Sequence, residues 1–190
     1  KGCSGFTDLY RQGFIIPLWS DLILETHKGG FRFHYADGDS DVAYHDFNQM
    51  GHVWKDYIHF KITSPWKFRE KTGVKFFFTQ PSYNHIDNLL NCHVLPGVLD
   101  FKYQYATNIN YVSKIGARYE FSAGTPLAQV IPITDKELVI KNHVIDLRDP
   151  EQKTVFNDTS AWFFGTLKKT KLAKENLDSS ELCPYSGGKK

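Results

Sequence analysis

The chain has 190 residues, enough for one domain with a buried core and an additional arm. Its formal charge of +2 includes no Lys/Arg block, which argues against nucleic-acid binding, and no apolar run approaches the ~20 residues of a membrane span. Aromatic residues make up 15%, so rings are expected to carry much of the core. Cys3, Cys92 and Cys183 are widely spaced with no C-x-x-C, the pattern of free thiols in a reducing compartment. No signal peptide is legible, and a chain that starts at Lys1 leaves its native N-terminus open.

In chain order, Phe14-Ile15-Ile16-Pro17-Leu18-Trp19 leads into Asp21-Leu22-Ile23-Leu24 and reads as a strand interrupted by Pro17, hence an edge or a bulge. Gly29-Gly30 signals a hairpin, and residues 31–35 alternate as a half-buried strand. Asp37-Gly38-Asp39-Ser40-Asp41 has acidic residues at alternate positions but no late Glu or flanking helices, so it reads as a solvated turn rather than a calcium loop. Residues 45–52 give no pattern. Residues 57–62 alternate again, Ser64-Pro65-Trp66 breaks the chain, and Lys71-Thr72-Gly73 turns it into an apolar strand over residues 74–79. Residues 80–104 follow as a polar turn that ends in Gly97-Val98-Leu99-Asp100-Phe101-Lys102-Tyr103. This is the pattern of a β-hairpin that projects one carboxylate and one ring into a pocket. Further strands are expected over 103–113 and 117–122, joined near Gly116. After a tight turn at Ala123-Gly124-Thr125, residues 126–133 and 138–147 close the β region. Many short strands separated by Gly and Pro predict an all-β sandwich or barrel. After Pro150 the spacing of Trp162, Phe163, Phe164, Leu167 and Leu172, with lysines near the end, predicts one C-terminal helix, followed by a polar tail from residue 179.

Two constellations can carry chemistry. His85-x-Asp87 with the distant His143 resembles the facial triad of non-haem iron oxygenases, which sit on all-β jelly rolls. Arg148 follows His143 too closely to be the basic residue those enzymes place about a strand further on, and the plainer reading is that His85 and Asp87 solvate a loop. The second constellation is Asp100 with Tyr103, supported by Ser82 and Gln129. Taken singly, each has an ordinary reading: Asp100 bonding a turn, Tyr103 a strand aromatic, Ser82 a turn cap.

Taken together, Gln80-Pro81-Ser82, then Gly97-Val98-Leu99-Asp100-Phe101-Lys102-Tyr103, then Gly124-Thr125-Pro126-Leu127-Ala128-Gln129 resemble three motifs of the trimeric dUTPases, in order and at matching intervals. Asp21-Leu22 falls where that family has its first motif, and the resemblance spans residues 14–133. It implies a β-clip fold, a distorted barrel or jelly roll, for the β domain of residues 1–150; the spacing after Pro150 adds 151–178 as a helical arm and the polar composition 179–190 as a mobile tail. It also implies a homotrimer that builds each site from more than one subunit. In such an enzyme Asp100 would deprotonate the water that attacks the α-phosphate, and Tyr103 would pack under the sugar and exclude a 2′-hydroxyl. Ser82, Gln129 and Asp21 would help bind the nucleotide, and Mg²⁺ would hold the triphosphate.

The departures from that family bear on activity. Pro81 stands where the family has a phosphate-gripping Arg, Pro126 replaces a basic residue, Lys102 replaces an acidic one, and no glycine-rich phosphate-closing arm with an aromatic is legible. One lost charge clamp typically costs ~10²–10³ in rate. His85, Lys102 and Arg118 are the nearby substitutes. The chain also looks like a family of bacteriophage proteins of unknown function. They share Ser64-Pro65-Trp66, a Gly-Val-apolar-Asp segment, and Gly124-x-Pro126-apolar-Ala128-Gln129-x-Ile131-Pro132. That implies a viral protein of the host cytoplasm or the virion. The expected function is therefore a structural or interaction module with a degenerate dUTPase-like site, binding itself and a nucleotide, viral or host partner; the alternative is an active dUTP or pyrimidine nucleotide pyrophosphatase. Trp162, Phe163 and Phe164 cannot all face one side of a helix, since neighbours lie ~100° apart. The arm is accordingly expected to pack on another subunit.

Overall fold

The computed structural model describes residues 3–45, 56–68, 70, 72–82, 91–101, 107–142, 144, 146 and 148–150. The chain is all-β, built from antiparallel ladders. A short helix α1 (Ser4–Arg11) precedes β1 (Phe14–Pro17), β2 (Leu22–His27), β3 (Gly30–Tyr35), β4 (Val42–Tyr44), β5 (Tyr57–Ile62) and β6 (Lys75–Thr79). Then come β7 (Cys92–Val94), β8 (Gly97–Asp100), β9 (Ile109–Lys114), β10 (Arg118–Phe121) and β11 (Pro126–Pro132). They form three sheets: sheet A in the order β1-β11-β6-β8, sheet B as β10-β2-β3, and sheet C as β4-β5-β9-β7.

Local chemistry explains the boundaries. β1 lies at an edge, and its register with β11 shifts between Ile16 and Pro17, where the missing N–H of proline breaks the ladder. The β2–β3 hairpin closes with His27 opposite Gly30, as the paired glycines suggest. Gly13, at φ 69°, lets the chain pass from α1 into β1 against β11; a Cβ there would sit 1.8 Å from the Val130 carbonyl oxygen. The turn into β6 is held by Glu70. Its carboxylate accepts from Thr72 N–H and Gly73 N–H at 2.6 Å, from Val74 N–H at 2.8 Å, and from the Thr72 hydroxyl.

The three sheets share one core. Under sheet A, Phe101 lies 5.1 Å from Phe76 and 5.3 Å from Phe68, and Phe68 in turn 5.1 Å from Phe14. Phe60 of β5 stacks on Tyr111 of β9 at 5.5 Å and meets Phe31 of β3, joining sheets B and C. The Tyr111 hydroxyl donates to the Leu127 carbonyl at 2.6 Å, joining sheets C and A; burial pushes its pKa well up, so it stays a donor.

Three expectations change. Alternation in β5 suggests one solvated face, but His59 and Lys61 are also buried, because this strand is covered on both sides. Burial lowers the Lys61 pKa, against the opposing pull of Asp41. The two arms of the expected 80–104 hairpin, β6 and β8, do pair, but β7 lies between them in sequence and joins sheet C. The expected strand over 138–147 is absent among the described residues: 138–142, 144 and 146 join no ladder and are exposed, and the Asp146 carboxylate accepts from Arg148 N–H and Nε. The expected C-terminal helix and tail, with Trp162, Phe163 and Phe164, lie outside the described residues.

Candidate functional site

β6 is the strand that places the candidate residues. It pairs with β11 on one side, where Gln129 lies opposite Thr79, and with β8 on the other, where Asp100 lies opposite Lys75. Thr79 and Lys75 are the two ends of β6, so Gln129 and Asp100 sit roughly 13 Å apart along the strand direction at ~3.3 Å per residue. Within one chain the structure does not bring them together.

Gln129 does meet Ser82. The Ser82 N–H donates to Gln129 Oε1 at 3.1 Å, and Gln129 Nε2 donates to the carbonyls of Leu9 and Gln12, each at 3.0 Å. The side chain is 2% exposed. Its amide ties the end of α1 and the turn after β6 onto sheet A, so both N–H groups and the oxygen are engaged inside the protein. Next to Ser82, Pro81 is buried at the position where the dUTPase resemblance puts a phosphate-gripping Arg.

Asp100 is positioned by its neighbours in β8. Leu99 packs toward the core, Phe101 is 1% exposed, and strand alternation turns the intervening carboxylate to the outer face. It is half-buried there. Asp21 is on another sheet: it precedes β2, and its Oδ1 accepts from Ala123 N–H at 2.7 Å, closing the turn before β11. Tyr103, Lys102, His85, Asp87 and His143 lie outside the described residues. Arg118, a possible replacement for the lost phosphate clamp, is held on sheet B between Glu25 and Glu120, bonding Glu120 Oε1 from both Nε and Nη2. That pairing raises its pKa and spends its charge locally.

A hollow of about 340 Å³ is a groove on sheet B beside this ion pair, lined by Glu25, Thr26, His27, Arg32 and Arg118. Asp21, Ser82, Asp100 and Gln129 do not line it. A smaller one of about 40 Å³ lies beside β8, and the oxygens of Asn108 and Asn110 next to it are buried without a hydrogen-bond partner. It is sized for water rather than for a nucleotide. In the Asp37–Asp41 loop, Asp37 accepts from the N–H groups of Asp39 and Ser40 and from the Ser40 hydroxyl, a self-satisfied turn. Among the described residues no three His, Cys, Asp or Glu side chains group as metal ligands.

The sequence reading missed α1 and the Glu70 cap. The signal for α1 was the spacing of Phe6, Leu9 and Tyr10 before the Gly13 turn; for the cap it was Glu70 three residues ahead of Gly73. No family model, no curated protein and no solved structure matches the chain.

Proposed function

We propose that this chain is a structural or interaction module, of bacteriophage origin, on a dUTPase-like β-clip frame that has given up nucleotide chemistry. The observation that carries this reading is the hydrogen bonding of Gln129: a residue expected to help bind a nucleotide is buried, with its amide spent on Leu9, Gln12 and Ser82. Buried Pro81 and the local pairing of Arg118 point the same way, since both positions would have to supply charge to a triphosphate. The module is proposed to self-associate, as a homotrimer by the same resemblance.

Two measurements test this. Pyrophosphate release from a panel of deoxynucleotides with Mg²⁺ is expected to stay at background, with no thermal shift from any nucleotide. Turnover of dUTP that Asp100→Asn abolishes would overturn the proposal in favour of the pyrophosphatase; the accessible position of Asp100 on an outer sheet face is the one feature that favours that rival. Light scattering on the full chain at micromolar concentration is expected to give a trimer, and a clean monomer sinks the self-association reading.

A further inference from the structure

A row of three charged side chains crosses sheet B at its groove. The register sets Arg118 of β10 opposite Glu25 of β2, and Glu25 opposite Arg32 of β3. Arg118 is shared between two carboxylates: its Nη1 donates to Glu25 Oε1, and its Nε and Nη2 donate to Glu120 Oε1. Arg32 is exposed, and among the described residues it makes no hydrogen bond and no ion pair, although Glu25 stands across the register from it. One guanidinium fork therefore borders a hollow of about 340 Å³ with its donors open.

The rest of the wall decides what the fork can take. The backbone donors of Thr26, Gly116 and Ala117 are already used. Thr26 N–H donates to the Ala117 carbonyl at 2.8 Å, Gly116 N–H to the Thr26 carbonyl at 3.0 Å, and Ala117 N–H to Thr26 Oγ1 at 3.0 Å. The Thr26 hydroxyl in turn donates to the Lys114 carbonyl at 2.7 Å. These three residues thus offer no nest of free N–H groups of the kind that cradles phosphate. The charges of Arg32 and Arg118 are balanced by those of Glu25 and Glu120, so the groove exerts little pull on a dianion. A carboxylate fits better: it is planar, singly charged, and accepts two parallel N–H bonds from one guanidinium. At Gly116 a Cβ would meet nothing within 4 Å, so the groove is open on this side to a carboxylate carried on the end of a side chain.

We propose that this groove docks a partner protein through one Asp or Glu side chain, whose carboxylate takes the two parallel N–H bonds of Arg32. The inference rests on the interaction-module reading and names the chemistry of the partner. Arg118 acts as a positioning residue. By holding the Glu25 carboxylate it keeps Glu25 from turning to Arg32 across the sheet, and so leaves the fork to the partner. Glu25 in turn limits the attraction, because its charge stands beside the place the incoming carboxylate takes. Arginine is well suited to such a contact, being among the residues that carry most of the binding energy at protein interfaces.

The test titrates the full chain with a blocked pentapeptide carrying one glutamate between serines, read by amide shifts in NMR. Shifts are expected at residues 25–27, 32 and 116–118, and none with the glutamine form of the peptide. Arg32→Gln is expected to weaken binding about tenfold or more. Its thermal midpoint should not change, because the side chain is exposed and bonds nothing among the described residues. Arg32→Lys keeps the charge but loses the fork, and should retain only part of the affinity. Glu25→Gln is expected to tighten binding, and Arg118→Gln to weaken it by releasing Glu25 toward Arg32. Equal binding of the glutamine peptide, or undiminished binding to Arg32→Gln, overturns the inference. Inorganic phosphate that shifts the same amides at lower concentration than the peptide also overturns it and makes the groove a phosphate site. Absence of any shift at millimolar peptide overturns it too, but leaves the interaction-module reading standing, since nucleotide turnover decides that reading separately.

Discussion

At the Thr79 end of β6, Gln129 is 2% exposed and hydrogen-bonded through both ends of its amide. At the Lys75 end, Asp100 stands half-buried on an open sheet face. Both side chains leave sheet A on the same side, since Gln129 and Asp100 pair with β6 residues of the same parity. The difference comes from what lies over them: the end of α1 covers one end of the face, and Val98 and Ile133 leave the other exposed. A polar residue on a strand is thus a fastener or an accessible group according to which segment crosses above it.

Breaking the closed end has the largest expected effect. Gln129→Ala strands the Gln12 carbonyl and the Ser82 N–H, each worth ~1–3 kcal/mol if left buried, and removes one of two bonds at the Leu9 carbonyl, which still accepts from the Gln12 N–H; the total loss should be about 2–4 kcal/mol. Urea unfolding measures it, and the N-terminal amides should exchange faster. An unchanged midpoint would mean that α1 is not fastened by this amide.

Next comes the join between sheets. Tyr111→Phe leaves the Leu127 carbonyl without its donor and should cost about 1–3 kcal/mol, read as a lower thermal midpoint. Because the contact spans sheets C and A, it tests whether the closed end depends on the sheets staying together.

The open end is held by Glu70, just before β6, whose own N–H also donates to the Phe101 carbonyl at 3.4 Å. Burial alone raises the Glu70 pKa, but the hydrogen bonds from Thr72, Gly73 and Val74 together outweigh it and hold it below the ordinary 4.5. Its stabilisation is therefore present above about pH 4.5 and lost as pH falls through the lower folded value. Glu70→Gln should lose about 1 kcal/mol at neutral pH, after allowance for partial exposure. It should also flatten the acid limb of a stability–pH curve; an unaltered limb would remove Glu70 from the account.

The smallest effect is expected at Asp100 itself. Asp100→Asn keeps shape and weakens only a half-buried charge pairing across the register with Lys75, so the single chain should change by about 0.5 kcal/mol or less. A loss comparable to that of Gln129→Ala would erase the contrast between the two ends.

Much of the fold was legible because it rests on local rules. Pro17 marked an edge, Gly29-Gly30 a hairpin, and Gly124 the turn into β11, each through backbone chemistry that needs no partner. The apolar run at residues 74–79 announced β6 for the same reason. The site was less legible. Gln129 read as a ligand-binding residue because its spacing matched a nucleotide enzyme, yet its partners Leu9 and Gln12 lie more than a hundred positions away, where no local pattern points. His59 and Lys61 looked solvated because alternation reports one covered face and is silent about a second.

The sequence by itself determined the all-β class, most strand positions and the turns, since φ/ψ preferences and period-two patterning act within a few residues. Only the tertiary structure decided which polar groups are spent and which remain accessible. Long-range pairing assigned β7 to sheet C, put Gln129 and Asp100 at opposite ends of β6, and left residues 138–142 outside every ladder among the described residues. A hydrogen bond or a covered face depends on what arrives from distant sequence, and that is fixed by packing rather than by neighbours along the chain.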